Sequence, residues 1–274
     1  MGKFTKAFEK STSPEESSVA PAESRKRAGP EHEAAGTASF PQTAGWDTRL
    51  KLSTDPHSPY FENFRRLRSS ILYPSRGPRP KTIMVTSVAP NEGKGFICAN
   101  LGVALSQDME HHALMIDCDF RRPNLGNLFG VSNETGLVDY LQDYVDLSYL
   151  IRKSGQQKLS LIPSGRPPRN PSELLSSTRM AAVLEEVAGR YQDRVVLVDS
   201  PPDIVASETG ILARHLDGII LVVRHGVSKK EHVRKLVDAL GPQKIMGVVY
   251  NGYPQNLFGQ LLDRKIGYSY SYNY

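Results

Sequence analysis

Three short stretches of the chain carry residue types that do phosphate and metal chemistry. The first, Ser87-Val88-Ala89-Pro90-Asn91-Glu92-Gly93-Lys94-Gly95, follows an apolar run and leads straight into a helix-like segment. A tight loop ending Gly-Lys at a helix N-terminus aims backbone N–H groups at a β-phosphate and lets the lysine reach the β/γ oxygens. It departs from G-x-x-x-x-G-K-[ST] twice: Val88 stands at the first glycine, and Gly95 replaces the Ser or Thr whose hydroxyl ligates Mg²⁺. The second stretch, Asp117-Cys118-Asp119-Phe120-Arg121, places two carboxylates one residue apart, able to hold a hard cation and to accept a proton. The third, Val198-Asp199-Ser200-Pro201-Pro202, ends an apolar run on an acid suited to Mg²⁺. Any one of these reads equally well as a strand-end acid or turn capping a loop; the three in this order read as a site for ATP and Mg²⁺.

Something must bring the three stretches together. From about Lys81, short β-branched runs alternate with helix-length segments, the pattern of a parallel sheet of βαβ units. The expected strands are Thr82 to Thr86, Ala113 to Ile116, Leu159 to Ile162, Val195 to Val198, Ile219 to Val223 and Ile245 to Val249. The expected helices are Gly93 to Gln107, Asn170 to Arg190, Ser207 to His215 and Lys229 to Leu240. Near-continuous apolar strands imply helices on both faces, and ligands of such sheets bind at the carboxyl ends of the strands. The fold class is therefore α/β, with a mostly parallel sheet like that of P-loop nucleotide-hydrolysing proteins, preceded by a disordered tail.

The rest of the chain divides by composition. Residues 1–50 form a mostly disordered tail, because the stretch from residue 11 to about 45 is rich in Ser, Pro, Ala, Gly and Glu without apolar periodicity. Residues 51–80 form a basic helix and linker, residues 81–258 the nucleotide-binding domain, and residues 259–274 a flexible tail. The net charge of +5 invites a nucleic-acid reading, but six basic against two acidic residues fall in 51–80, while 81–274 holds 21 against 20. A nearly neutral folded domain argues against nucleic acid and for a local basic element. Two lone cysteines, Cys98 and Cys118, make neither a disulfide framework nor a metal-ligand spacing, and suit a reducing cytoplasm. The longest aliphatic run is far short of the ~20 residues that span a bilayer, so no crossing is expected. The N-terminus lacks an apolar signal core, and Lys6 stands where myristoylation needs Ser or Thr.

Two further features stand out. Glu62-Asn63-Phe64-Arg65-Arg66-Leu67-Arg68 reads E-x-x-R-x-x-R, which on a helix sets Glu62, Arg65 and Arg68 near one face. Twelve tyrosines in 274 residues would place about 0.3 in a seven-residue window, yet Tyr268, Tyr270, Tyr272 and Tyr274 occupy the last seven positions.

With these motifs on view, the sequence resembles the cytoplasmic catalytic domain of the bacterial tyrosine kinases, P-loop autokinases that regulate capsule and exopolysaccharide synthesis. Asp117-Cys118-Asp119-Phe120-Arg121 is similar to their second Walker motif, and Val198-Asp199-Ser200-Pro201-Pro202 to their Walker B. The segment from Pro163 to Leu175, with Asn170-Pro171-Ser172-Glu173, resembles their Asn-Pro segment, and the likeness runs from about Pro59 to Tyr274.

The resemblance implies nucleotide contacts at Asn91, Glu92, Gly93, Lys94, Gly95, Phe96 and Asn251, the last to adenine. It implies metal ligands at Asp117, Asp119 and Asp199, and catalytic roles for Lys94, Asp117, Asp119 and Arg121. Asp117 is the base by resemblance, although the residues alone do not rank it over Asp119. Phe96 stands at a second position where the family usually has Ser or Thr. Glu62, Arg65 and Arg68 would join subunits in a ring, and the four C-terminal tyrosines would be phosphorylated in a neighbour. The tail from Gly259 reaches roughly 50 Å at ~3.3 Å per residue. A separate membrane chain-length regulator would recruit the protein to the inner face of the membrane and supply an activating cytoplasmic segment. Two other readings stay open: a nucleotide-binding regulator weakened by Gly95, and a P-loop ATPase of the partitioning type.

Overall fold

The structure, a computed structural model, describes residues 45–253 except 59, 76, 143, 191–192 and 206–207. Its strands are β1 (Thr82–Ser87), β2 (His112–Asp117), β3 (Arg152–Lys153), β4 (Leu159–Ile162), β5 (Arg194–Asp199), β6 (Gly218–Arg224) and β7 (Ile245–Asn251). Between them lie α1 (Phe61–Leu72), α2 (Lys94–Ser106), α3 (Leu125–Leu128), α4 (Leu137–Leu141) and α5 (Pro171–Leu175). The later helices are α6 (Thr178–Arg190), α7 (Thr209–Arg214) and α8 (Lys230–Leu240). All six expected strands are present. The two-residue β3, unheralded in the sequence, adds an antiparallel edge to an otherwise parallel sheet of order β3-β4-β2-β5-β1-β6-β7.

Strand β5 slots between β2 and β1. Its register sets Asp199 beside Asp117 on one side and beside Val85 on the other. The Cys118 N–H continues the ladder by donating to the Asp199 carbonyl at 2.8 Å. The three chemical stretches therefore leave the sheet at the same edge, because all three strands run parallel and end level.

The strands alternate into two cores, one on each face. Met84, Leu114 and Ile116 face α4 to α8, while Ile83, Val85 and Met115 face α1, α2 and α3. The inner strands β1, β2, β5 and β6 have almost no solvent face, which is why they lack polar alternation, whereas the edge strand β7 exposes Met246, Val248 and Tyr250. Helix α2 is itself buried nearly all round; only Lys94 and Phe96 escape burial. It sits close on β2 because Gly102 has no side chain, and a Cβ there would lie 2.4 Å from Met115 Sδ.

Two boundaries differ from expectation for physical reasons. The segment from Asn170 to Arg190 is two helices, because the Ser177 hydroxyl accepts the Met180 N–H at 3.1 Å and starts α6 as a cap. The packed part begins inside the segment that composition assigns to the tail. Leu50 is fully buried, Trp46 meets Phe129 edge-on at 5.0 Å, and the indole N–H donates to the Ser154 carbonyl. Two apolar residues among polar neighbours are too few to move a compositional average, yet together they seal the lower end of α2. Among the described residues no helix is long and apolar enough to cross a membrane.

Candidate active site

The loop after β1 is held from behind. Asn91 and Gly93 both adopt left-handed backbone, with φ of 64° and 93°. Gly93 meets a second demand: a Cβ there would lie 2.3 Å from Asn251 Nδ2. That amide donates to the Glu92 carbonyl at 2.8 Å. The Glu92 side chain is fully buried, and its two oxygens accept the Ala89 N–H at 2.9 Å and the Arg224 N–H at 3.3 Å. Arg224 in turn donates to the Asn91 carbonyl at 3.0 Å. The Glu92 carboxylate and one amide donor of Asn251, both residues expected against nucleotide, thus brace the loop to the ends of β6 and β7. Arg224 belongs to this brace, and no motif in the sequence marks it.

In front of the loop, Lys94 lies between two acids. Its ammonium donates to Asp119 Oδ2 at 2.6 Å and stands 3.6 Å from Asp199 Oδ1. Burial pushes the ammonium toward neutrality, but the Asp199, Asp119 and Asp117 charges outweigh it and hold the pKa above the ordinary value. Asp199 Oδ1 is buried without a hydrogen-bond partner among the described residues. A buried carboxylate oxygen held only by the long Lys94 ion pair, beside a second acid, fits a cation such as Mg²⁺.

Asp117 is placed differently from its neighbour two residues on. It is fully buried, its Oδ1 accepts the Asp119 N–H at 3.1 Å, and its Oδ2 accepts the Asn124 and Leu125 N–H groups at 3.0 and 2.9 Å. Burial, and next the nearby Asp199 charge, push its pKa up to about 7 despite those bonds. Burial likewise raises Asp199, to about 6, against the pull of Lys94. Among the described residues no three acid, His or Cys side chains are grouped to hold a metal. The expected trio thus divides: Asp119 and Asp199 face Lys94, while Asp117 organises the turn beneath them.

These groups border a cleft of about 690 Å³ whose wall also includes Gly95, Phe96, Arg121, Arg122 and Asn124. Neighbours close in on Gly95, where a Cβ would lie 3.1 Å from Asp199 Oδ2 and 3.8 Å from Asn124 Nδ2. Phe96 turns the other way and meets Phe64 of α1 edge-on at 6.3 Å. Arg121 donates to Ser172 at 2.8 Å and to Glu208 at 3.1 Å. The E-x-x-R-x-x-R face also divides. Arg65 and Arg66 pair with Glu62 in the exposed part of α1, whereas Arg68 donates to the Ala104 carbonyl near the end of α2. Tyr268, Tyr270, Tyr272 and Tyr274 lie outside the described residues.

A parallel sheet with a glycine-lysine loop after β1, a helix starting on that lysine and acids at the ends of β2 and β5 defines a P-loop nucleotide-binding protein. No family sequence model matches the chain. It is 33% identical over 201 residues to tyrosine-protein kinase YwqD of Bacillus subtilis strain 168, covering 73% of this chain and 84% of that protein. It is 31% identical over 229 residues to tyrosine-protein kinase Wzc of Salmonella typhimurium, spanning 83% of this chain but 31% of Wzc. Among solved structures, the kinase domain of Escherichia coli tyrosine kinase ETK superposes with a TM-score of 0.71 at 30% identity, covering 84% of this chain and 86% of that one. The chain belongs to the bacterial tyrosine kinase family.

Proposed function

We propose that this chain transfers the terminal phosphate of ATP to tyrosines of its own C-terminal cluster, in a neighbouring subunit, as the catalytic part of a capsule or exopolysaccharide export system. The observation that carries the reading is Lys94 held between Asp119 and Asp199 at the mouth of the glycine loop. A lysine bridging two acids in the cleft is available to phosphate oxygens once a cation takes its place beside the acids.

In this reading the loop N–H groups and Lys94 grip the β- and γ-phosphates. Mg²⁺, when bound, neutralises phosphate charge, and Asp199, with its bare Oδ1, and Asp119 are the residues to hold it. The acceptor phenol, pKa ~10, must lose its proton as its oxygen bonds to the γ-phosphorus and the bond to ADP breaks. Asp199 and Asp119 border the cleft and Asp117 does not, so with Asp199 turned to the cation Asp119 takes the proton and Asp117 keeps the turn in place. This reverses the assignment that resemblance favours. It rests on how each carboxylate is used: Asp117 offers its two oxygens to three backbone N–H groups, whereas Asp119 accepts one, from Arg122 at 3.1 Å on Oδ1, and turns Oδ2 to Lys94.

Assembly into a ring through Glu62 and Arg65, and recruitment to the inner face of the membrane by a chain-length regulator with an activating segment, complete the proposal. Arg68 contributes by fixing α1 to α2. Gly95, which lacks the hydroxyl that ligates Mg²⁺, favours a second reading, a nucleotide-sensing regulator without catalysis. Mass spectrometry of the full chain after incubation with ATP and Mg²⁺ separates the two. Phosphotyrosine on residues 268–274, absent from a Lys94→Met variant, is the expected result. A chain that binds ATP yet gains no phosphate, even with its membrane activator, would reject the kinase reading.

A further inference from the structure

One buried charge near the cleft has no part in the chemistry above. Glu208 is only 3% exposed, in the turn that enters α7. Its Oε1 accepts from the Ser172 hydroxyl at 3.0 Å and from Arg121 Nη2 at 3.1 Å, and the same Nη2 donates to Ser172 Oγ at 2.8 Å. Three side chains from three separate connections, after β2, β4 and β5, meet here. The Ser172 contact gives the Asn-Pro segment a task that its sequence did not disclose. Burial pushes the Glu208 carboxyl up, but hydrogen bonds from its own backbone N–H, from Ser172 and from Arg121 hold it below the usual range. It is therefore ionised at neutral pH, and an ionised carboxylate this deep is retained only when well paired.

The third member separates this cluster from an ordinary internal ion pair. Arg121 is 39% exposed in its side chain and borders the cleft. It follows Asp119 by two residues and shares the cleft wall with Lys94, Asp119 and Asp199, the groups read above as gripping the outer phosphates of a nucleotide. A guanidinium is planar and carries five N–H donors, so one held by one edge presents the other edge in a fixed direction.

We propose that Glu208 and Ser172 are positioning residues that hold Arg121 by one edge so that its other edge meets the γ-phosphate. The proposal rests on the nucleotide-binding reading of the cleft. It predicts a residue that senses the third phosphate through Arg121 without touching nucleotide itself.

The test is a titration of the full chain, in Mg²⁺, with ADP and with a non-hydrolysable ATP analogue. The variants are Arg121→Ala, Glu208→Gln, Ser172→Ala and the two doubles that combine Arg121→Ala with each of the others. Arg121→Ala should weaken the analogue about tenfold and leave ADP unchanged, a charge-assisted hydrogen bond's worth. Glu208→Gln should weaken the analogue about fivefold and Ser172→Ala about twofold, again sparing ADP. Neither should add to Arg121→Ala. Equal weakening of both nucleotides, or a further loss in the Arg121→Ala background, would overturn the proposal. Should Glu208→Gln fail to fold, the half-buried Ser172 carries the same non-additivity test. A silent Arg121→Ala alongside a Lys94→Ala variant that binds nothing would reject this inference and leave the cleft reading standing. A wild-type chain that binds neither nucleotide would reject both.

Discussion

The front and the rear of the cleft use the same residue types for opposite ends. In front, Asp119 and Asp199 hold a lysine that a ligand can draw away, and one Asp199 oxygen has no hydrogen bond. Behind, Glu92 and Asp117 each give both oxygens to backbone N–H groups. Carboxylates with both oxygens bonded to backbone shape loops, while one that keeps an oxygen on a mobile cation, as Asp119 does beside its Arg122 N–H, is free to change partners there. The lesson is that a motif names the acids but not their roles. Those follow from which oxygens the fold has already used.

The sharpest way to break that contrast is to truncate one acid from each side. Asp117→Ala strands three buried N–H groups and should cost about 3 kcal/mol in denaturant-measured stability. Asp119→Ala strands only the Arg122 N–H and leaves Lys94 its second acid, so it should cost less, about 2 kcal/mol, while abolishing tyrosine phosphorylation. Equal stability losses would erase the distinction between front and rear.

The next effect is one of pH. Asp117 and Asp199 have folded-state pKa values of about 7 and about 6, above the ordinary 3.8. Between those values the folded protein binds more protons than the unfolded chain, so stability falls as pH rises from about 4 toward 7 and levels off above. The nucleotide-free protein should therefore melt at a higher temperature at pH 5.5 than at pH 8, and Asp117→Asn should flatten the slope. A profile rising toward neutrality would show that the rear acid is ionised in the fold.

A smaller change probes the tight spot at Gly95 between the two sides. Gly95→Ser and Gly95→Ala each bring a Cβ to 3.1 Å from Asp199 Oδ2, so the carboxylate must give slightly. Both should lose about 1 kcal/mol of stability. Only the serine, with a hydroxyl to offer, should then bind nucleotide more tightly in Mg²⁺ than without it. Matching nucleotide affinities for the two variants would remove the hydroxyl from the account.

The smallest effect separates the two arginines of α1. Arg68→Ala loses the bond to Ala104 and should cost about 1 kcal/mol. Arg65→Ala, in an exposed pair, should stay within about 0.5 kcal/mol yet lower the oligomeric mass seen by light scattering. An unchanged mass would take Arg65 out of the assembly face.

What the sequence disclosed follows the same division. The apolar strands, the glycine-lysine turn and the order of the acids are local signals, and each is where its pattern put it. Asp117 and Asp119 could not be told apart because their difference lies in the turn at Asn124 and Leu125, whose N–H groups only tertiary structure brings to one carboxylate. Glu208 sits in no motif, and its partners are distant in sequence. The Ser177 cap divides a stretch whose apolar spacing continues across it, so periodicity alone ran through the break.

The place of β5 in the sheet bears on how the protein is made. A chain emerging N-terminus first has β1, α2 and β2 complete while the strand that belongs between β1 and β2 is still unsynthesised. Those two strands cannot pair with each other in the finished order, so the gap waits for residues 194–199. A one-residue slip in that late insertion would turn Asp199 into the opposite core and leave Lys94 with Asp119 alone. The ladder bond from Cys118 to Asp199 guards the register at the last rung. An unfinished or misthreaded chain thus has no completed acid pair, and competence for phosphate chemistry arrives only with correct closure of the sheet.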